Sequence, residues 1–165
     1  ICTATETITN LQLLNTSDVT NMGNMFLNTG YRSMKSLKLG DNFITKQVTN
    51  MENMFGGMGY TSMTSLNLGD KFNTSKVTDF RWMFNNCSRL KTIYVKEYDS
   101  ETDTGWTTKS STASYATTTM FDNSTKLVGG NGTGFDTSKI TIEYARIDTA
   151  DTPGYLTNIN DKPTE

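Results

Sequence analysis

The sequence predicts an α/β-type repeat solenoid, with short parallel strands, irregular or short helical returns and a C-terminal cap. Three observations carry that reading: a twelve-residue phrase recurs, a short strand-like unit follows each copy, and the last part of the chain abandons both. Repeats are sought first because a unit of ~20–50 residues cannot bury its apolar side alone and must stack on its neighbours.

The first strand-like unit is Ile8-Thr9-Asn10-Leu11-Gln12-Leu13, apolar at positions one, four and six. It leads into Asn15-Thr16-Ser17-Asp18-Val19-Thr20-Asn21-Met22-Gly23-Asn24-Met25-Phe26. The strand template returns at residues 34–39, and the phrase returns at Ile44-Thr45-Lys46-Gln47-Val48-Thr49-Asn50-Met51-Glu52-Asn53-Met54-Phe55, 29 residues on when Val19 is matched to Val48. A further strand template at 63–68 and a third phrase at 73–84 follow, and the template at 90–95 ends the regular part, about 8–95. Matching Leu11, Leu37, Leu66 and Ile93 gives strand offsets of 26, 29 and 27 residues, in or near the ~20–29 range of leucine-rich repeats.

Residues from about 96 to 116 are polar, carry Glu97, Asp99, Glu101 and Asp103 ahead of Trp106, and read as an excursion from the solenoid. Met120-Phe121-Asp122-Asn123-Ser124-Thr125-Lys126-Leu127 is an altered copy of residues 83–90. With the stretch from Val128 to Thr157, which carries Ile140, Ile142, Tyr144, Ile147 and Tyr155, it forms a degenerate repeat and cap over about 117–157. Terminal units are atypical because they cover an open core. One domain therefore spans 1–157, and residues 158–165 read as a linker.

In an L-x-L strand alternate side chains face opposite ways. Stacking then predicts inward rows Leu11/Leu37/Leu66/Ile93 and Leu13/Leu39/Leu68/Val95 on the strands, and Val19/Val48/Val77, Met25/Met54/Met83 and Phe26/Phe55/Phe84 on the returns. The methionine–phenylalanine pairs are expected on a helical or 3₁₀ turn opposite the sheet, where thioethers fill uneven gaps. The outward rows read Asn10/Ser36/Ser65/Thr92 and Gln12/Lys38/Asn67/Tyr94, small and hydrogen-bonding, without an apolar patch.

Composition excludes several function classes. Hydrophobic residues make up 35%, charged residues 19%, and the net charge is −2, so no basic run grips nucleic acid or anionic lipid. No stretch approaches the ~18 apolar residues of a membrane span, which predicts no direct membrane insertion. The start, Ile1-Cys2-Thr3-Ala4, carries no signal segment, and the ending Asp161-Lys162-Pro163-Thr164-Glu165 is linker-like. The chain is thus expected to be a monomeric fragment of a larger protein whose anchor lies elsewhere.

There is no histidine, which removes triads, His-containing zinc sites and imidazole acid–base catalysis. Cys87, set between Phe84 and Leu90, is expected to be buried and inert, and Cys2, ahead of the first strand, to lie too far from it for a disulfide. The acidic run lacks the sixth-position Gly and distal Glu of an EF-hand, so it reads as a solvated loop. Gly129-Gly130-Asn131-Gly132 is followed by no Lys-Ser/Thr pair and reads as a tight turn beneath the cap rather than a phosphate cradle. Trp82 and Trp106 fall outside the repeated rows; each can anchor a partner or lie partly buried at a repeat edge. No catalytic, metal or cofactor-binding residue is assigned.

The phrase Asn73-Thr74-Ser75-Lys76-Val77-Thr78-Asp79-Phe80-Arg81-Trp82-Met83-Phe84, continued through Cys87 and Leu90 to Val95, resembles the repeat of the BspA-like leucine-rich-repeat family of bacterial surface proteins and lipoproteins, with Phe80 replacing the usual Met. The closing Leu127-Val128-Gly129-Gly130-Asn131-Gly132-Thr133 and Pro153-Gly154-Tyr155-Leu156-Thr157 are similar to the ends of such arrays. The resemblance covers about 8–157 and implies a curved solenoid on the bacterial cell surface, without enzymatic activity. The expected function is an extracellular adhesion module recognising a host or cell-surface protein or glycan; the alternative is a spacer that projects another domain. Candidate partner-binding residues are Lys38, Asn67, Tyr94 and Trp106, the positions that stacking leaves unconstrained.

Overall fold

The computed structural model describes residues 4–111 and 119–163. Its regular structure is sparse: strands β1 (Ser65–Asn67), β2 (Thr92–Val95) and β3 (Leu156–Asn158) form a parallel sheet in the order β1-β2-β3. Single 3₁₀ turns lie at Leu11–Leu13, Ile142–Tyr144 and Ile159–Asp161, and no α-helix occurs among the described residues. Ser65, Leu66 and Asn67 face Thr92, Ile93 and Tyr94 across the first pair of strands. Ile93 then faces Leu156, so the last strand of the sheet comes from the closing segment.

Away from the sheet, successive copies of the phrase are joined directly by backbone hydrogen bonds. Met22, Asn24, Phe26 and Asn28 donate to the carbonyls of Asn50, Glu52, Met54 and Gly56 in the next copy. Met51, Asn53, Phe55 and Gly57 donate in the same way to Asp79, Arg81, Met83 and Asn85. Between these donors, Met25, Leu27, Met54, Gly56, Met83 and Asn85 bond to carbonyls three residues back. The return, expected to be irregular, short helical or 3₁₀, is a chain of tight turns.

Those turns require left-handed backbone at fixed places, φ 61 at Asn24, 54 at Asn53, and again at Asn28, Gly57 and Asn86. Asparagine and glycine tolerate this region best, which explains their recurrence in the phrase. Trp82 occupies the same position with φ 54, an unfavourable place for a bulky side chain, and the guanidinium of Arg81 lies over its ring at 5.8 Å.

A buried row of threonines clamps the copies at the phrase's start. The hydroxyl of Thr45 donates to the carbonyl of Asn73 and accepts from the amide of the same residue, both at 2.7 Å. Thr16 does the same to Ile44 and Thr74 to Thr107. One buried hydroxyl thus satisfies both backbone groups of a residue in the next copy, groups that would otherwise be costly to bury unpaired.

Apolar rows fill the space between sheet and returns. Phe26, Phe55, Phe84 and Phe121 stack almost face to face, with ring centroids 5.6, 5.7 and 5.7 Å apart. Val48 and Val77, Met54 and Met83, and Met34, Met63 and Leu90 are buried in their own rows. Phe80 is also buried, in the position taken by Met22 and Met51. The sulfur of Cys87 falls where Met58 sits one copy earlier, and both residues are buried.

The first copy departs from expectation. Leu13, placed in an inward row by the pattern, is 74% exposed and sits in the 3₁₀ turn, and Met25 is exposed where Met54 and Met83 are fully buried. Among the described residues only the second copy packs against the return of this unit. Residues 34–39 bury Leu37 and Leu39 as the alternation requires but form no strand ladder.

At the other end, Asn158 pairs with Val95 and caps the turn at Ile159–Asp161, so this part of the expected linker belongs to the fold. Residues 164–165 lie outside the described residues. The closing segment is tied by Asp148, whose carboxylate accepts hydrogen bonds from the amides of Asn131, Thr133 and Gly154 and from the Thr133 hydroxyl. Burial pushes its pKa up, but these donors outweigh burial and hold it below the usual carboxylate range. Gly129 is required there, because a Cβ would come within 2.2 Å of the Gly154 carbonyl oxygen.

Phe55 lies between two stacked neighbours, so Phe55→Ala is expected to cost ~3–5 kcal/mol. Gln47 is exposed and its side chain accepts from the Lys76 ammonium, so Gln47→Ala is expected to change stability by less than ~0.5 kcal/mol. Urea denaturation of both variants checks the row, and equal losses would contradict it.

Candidate functional site

The pleat that buries Leu66, Ile93 and Leu68 turns the intervening side chains outward. Asn67 and Tyr94 stand side by side in paired register on β1 and β2, half-buried, while Lys38 is exposed on the preceding unit. Neither the Lys38 ammonium nor the Tyr94 hydroxyl has a polar partner among the described residues. Asn67 is partly committed: its side-chain oxygen accepts from the amide of Gly69 at 2.9 Å, closing the turn after β1 and leaving only the amide NH₂ outward.

Lys38 and Asn67 border an open groove of about 400 Å³, shared with Gly40, Asp41, Asp70 and Lys71. Gly40, at φ 82, is fixed by close approach, since a Cβ would fall 2.6 Å from the Cα of Gln12. The two aspartates and two lysines leave the groove electrically mixed, suited to hydrogen-bonding contact rather than to one sign of charge.

Trp106 does not belong to this surface. It is only 6% exposed, its indole nitrogen donates to the Ala145 carbonyl at 2.8 Å, and its ring packs on Phe72, Phe80 and Phe84. The row it joins is Phe43/Phe72/Trp106, which the repeat pattern did not reveal. The signal lay in the pair of residues after each aromatic: Ile44-Thr45, Asn73-Thr74 and Thr107-Thr108. The expected excursion is correspondingly smaller. Asp99 bridges Thr104 antiparallel, so a hairpin projects there, while Glu97 bridges Trp106 in parallel and the chain is back in the core by Trp106. The excursion's expected end, at residues 112–116, lies outside the described residues.

Two of the hairpin's acids, Asp99 and Asp103, are occupied. Asp99 accepts from the Glu101 amide and the Thr102 hydroxyl, with the Thr102 bond foremost in holding its carboxyl below the usual range. Tyr98 donates to Asp103 at 3.1 Å, which raises the phenol's pKa, and Lys46 pairs with Asp103 at 3.8 Å. No group of three or more Cys, Asp or Glu close enough to share a metal ion occurs among the described residues.

Cys87 is sealed in. Burial pushes its thiol up to about 12, and the sulfur donates to the Phe55 carbonyl at 3.2 Å, so the nucleophilic thiolate is scarcely populated at neutral pH. Cys2 lies outside the described residues.

If Trp106 is a core rung, Trp106→Ala is expected to lower stability by ~3–5 kcal/mol. A melting temperature unchanged from the parent, measured by circular dichroism, would return it to the surface.

The chain matches the family described as Mycoplasma protein of unknown function, DUF285, over residues 2–115 and again over residues 29–152. Overlapping matches of this kind accord with an internally repeated sequence. No curated protein and no solved structure matches the chain. The two family matches together span most of its length, and the chain belongs to the DUF285 family.

Proposed function

We propose that this DUF285 chain is a leucine-rich-repeat-like solenoid of the BspA-like kind, acting outside the cell as a non-catalytic binding module of a bacterial surface protein. Its partner is a host or cell-surface protein or glycan, and contact is made by the outward sheet face through Lys38, Asn67 and Tyr94. The contrast between rows supports the reading. The threonine clamps, and the inward rows beyond the first copy, are used in holding copies together. The Lys38 ammonium and the Tyr94 hydroxyl take no part in those contacts; Lys38 borders the open groove and Tyr94 stands on the strand beside it.

A non-catalytic role is consistent with the absence of histidine and with the protonated, enclosed thiol of Cys87. The mixed polarity of the groove suits weak, hydrogen-bonded recognition, in which an aromatic such as Tyr94 supplies contact area with little entropy cost.

A screen of the purified chain against host-protein and glycan arrays, followed by affinity measurements on Lys38→Ala, Asn67→Ala and Tyr94→Ala, tests the assignment. Tyr94→Ala is expected to cost ~2 kcal/mol of binding, with circular dichroism unchanged. Parent-like affinity in all three variants would place the contact elsewhere, and a screen without any ligand would favour the spacer role.

A further inference from the structure

A second groove, of about 610 Å³, lies outside the sheet-face surface, and Arg89, Lys91 and Lys126 line it with no carboxylate among its walls. The repeat puts them there. Ser88-Arg89-Leu90 and Thr125-Lys126-Leu127 are the same part of successive copies, and the amide of Cys87 donates to the Ser124 hydroxyl across the junction. Arg89 and Lys126 therefore occupy one row, a strand spacing of ~4.8 Å apart at the backbone. Lys91 stands two residues on, its carbonyl accepting from the amide of Val128 at 2.8 Å.

Like charges on adjacent rungs are unfavourable. Arg81 pairs with Asp79 and Glu52, Lys46 with Asp103, and Lys139 with Asp136. Arg89, Lys91 and Lys126 make no ion pair or side-chain hydrogen bond among the described residues, in a chain whose net charge is −2. Such a local concentration of positive charge is relieved by a bound anion.

The rest of the groove narrows the anion's class. Its apolar lining comes from Leu127, the 41% exposed Val128 and the half-buried Phe135, and the exposed Thr64 and Thr125 line it as well. The backbone beside it is already committed: Lys91 donates to Thr64, Val128 to Lys91 and Phe135 to Leu127. A peptide adding as a strand would find these groups taken. A ligand read through its own charged and hydroxyl groups, with an apolar ring face against Val128 and Phe135, fits better.

We propose that this groove binds an anionic glycan, with sulfate or uronate groups held between Arg89 and Lys126, assisted by Lys91. Arg89 offers the bidentate fork that suits such oxyanions.

The test measures binding of a size-defined heparin oligosaccharide to the chain at low ionic strength, beside a neutral dextran of similar length and a polyglutamate peptide. The parent is expected to bind heparin and not dextran. Arg89→Ser with Lys126→Ser, which installs the residue type found at Ser62 one copy earlier, is expected to weaken heparin binding about tenfold or more. Lys91→Ser should weaken it by a smaller factor and provides an independent variant should the pair fail to fold. Lys46→Ser with Lys76→Ser removes equal charge outside the groove and is expected to leave affinity within about twofold. Absence of heparin binding by the parent, equal loss in the Lys46/Lys76 pair, or polyglutamate bound as tightly as heparin would each overturn the proposal, the last in favour of an acidic protein partner.

Discussion

The constraint on which the rest depends is the hydrogen bonding between returns of successive copies. A residue type recurring every 29 positions stacks on itself only if neighbouring copies are held without slippage, and a three-residue strand such as β1 cannot do this alone. The alternate amides of the return, as at Met51, Asn53, Phe55 and Gly57, reach the next copy, while the intervening amides close tight turns within their own. The threonine clamps lock the same register from the phrase's start, with Thr45 gripping both backbone groups of Asn73. The phenylalanine column is a consequence of that register, its rings set at a spacing that near-parallel stacking favours.

Much of this was legible because apolar identity repeats. The Phe26/Phe55/Phe84 row and the pairing of Leu66 with Ile93 and of Asn67 with Tyr94 emerge from aligning the copies. Hidden parts fall into physical classes. Thr16, Thr45 and Thr74 are buried, and nothing in a threonine's sequence position marks its hydroxyl as a buried clamp rather than a surface group. Trp106 was displaced in sequence by the hairpin around Asp99 and Thr104, which concealed its equivalence to Phe72. Leu13 fits the strand pattern, but the chain turns as a 3₁₀ helix at Leu11–Leu13 and leaves it outward.

For function, the distinction that matters is between side chains consumed by stacking and those left over. Trp106 belongs to the first group, because its indole bonds Ala145 inside the core. Asn67 belongs partly to each, since one end of its amide closes a turn. Lys38 and Tyr94 remain in the second group, as do Arg89 and Lys126, which form no basic run in sequence and become neighbours only because two copies lie in register. In the proposed solenoid, recognition surfaces are by-products of the repeat: each substitution at an outward position is placed beside its counterpart one rung away.

Native-state hydrogen exchange monitored by NMR tests the central claim most directly, because residues 51–57 form neither helix nor strand and would exchange rapidly if they were an ordinary loop. The inter-copy register predicts that the amides of Met51, Asn53, Phe55 and Gly57 exchange as slowly as those of Thr92–Val95 in β2. Rapid exchange at those four amides, with β2 still protected, would contradict it.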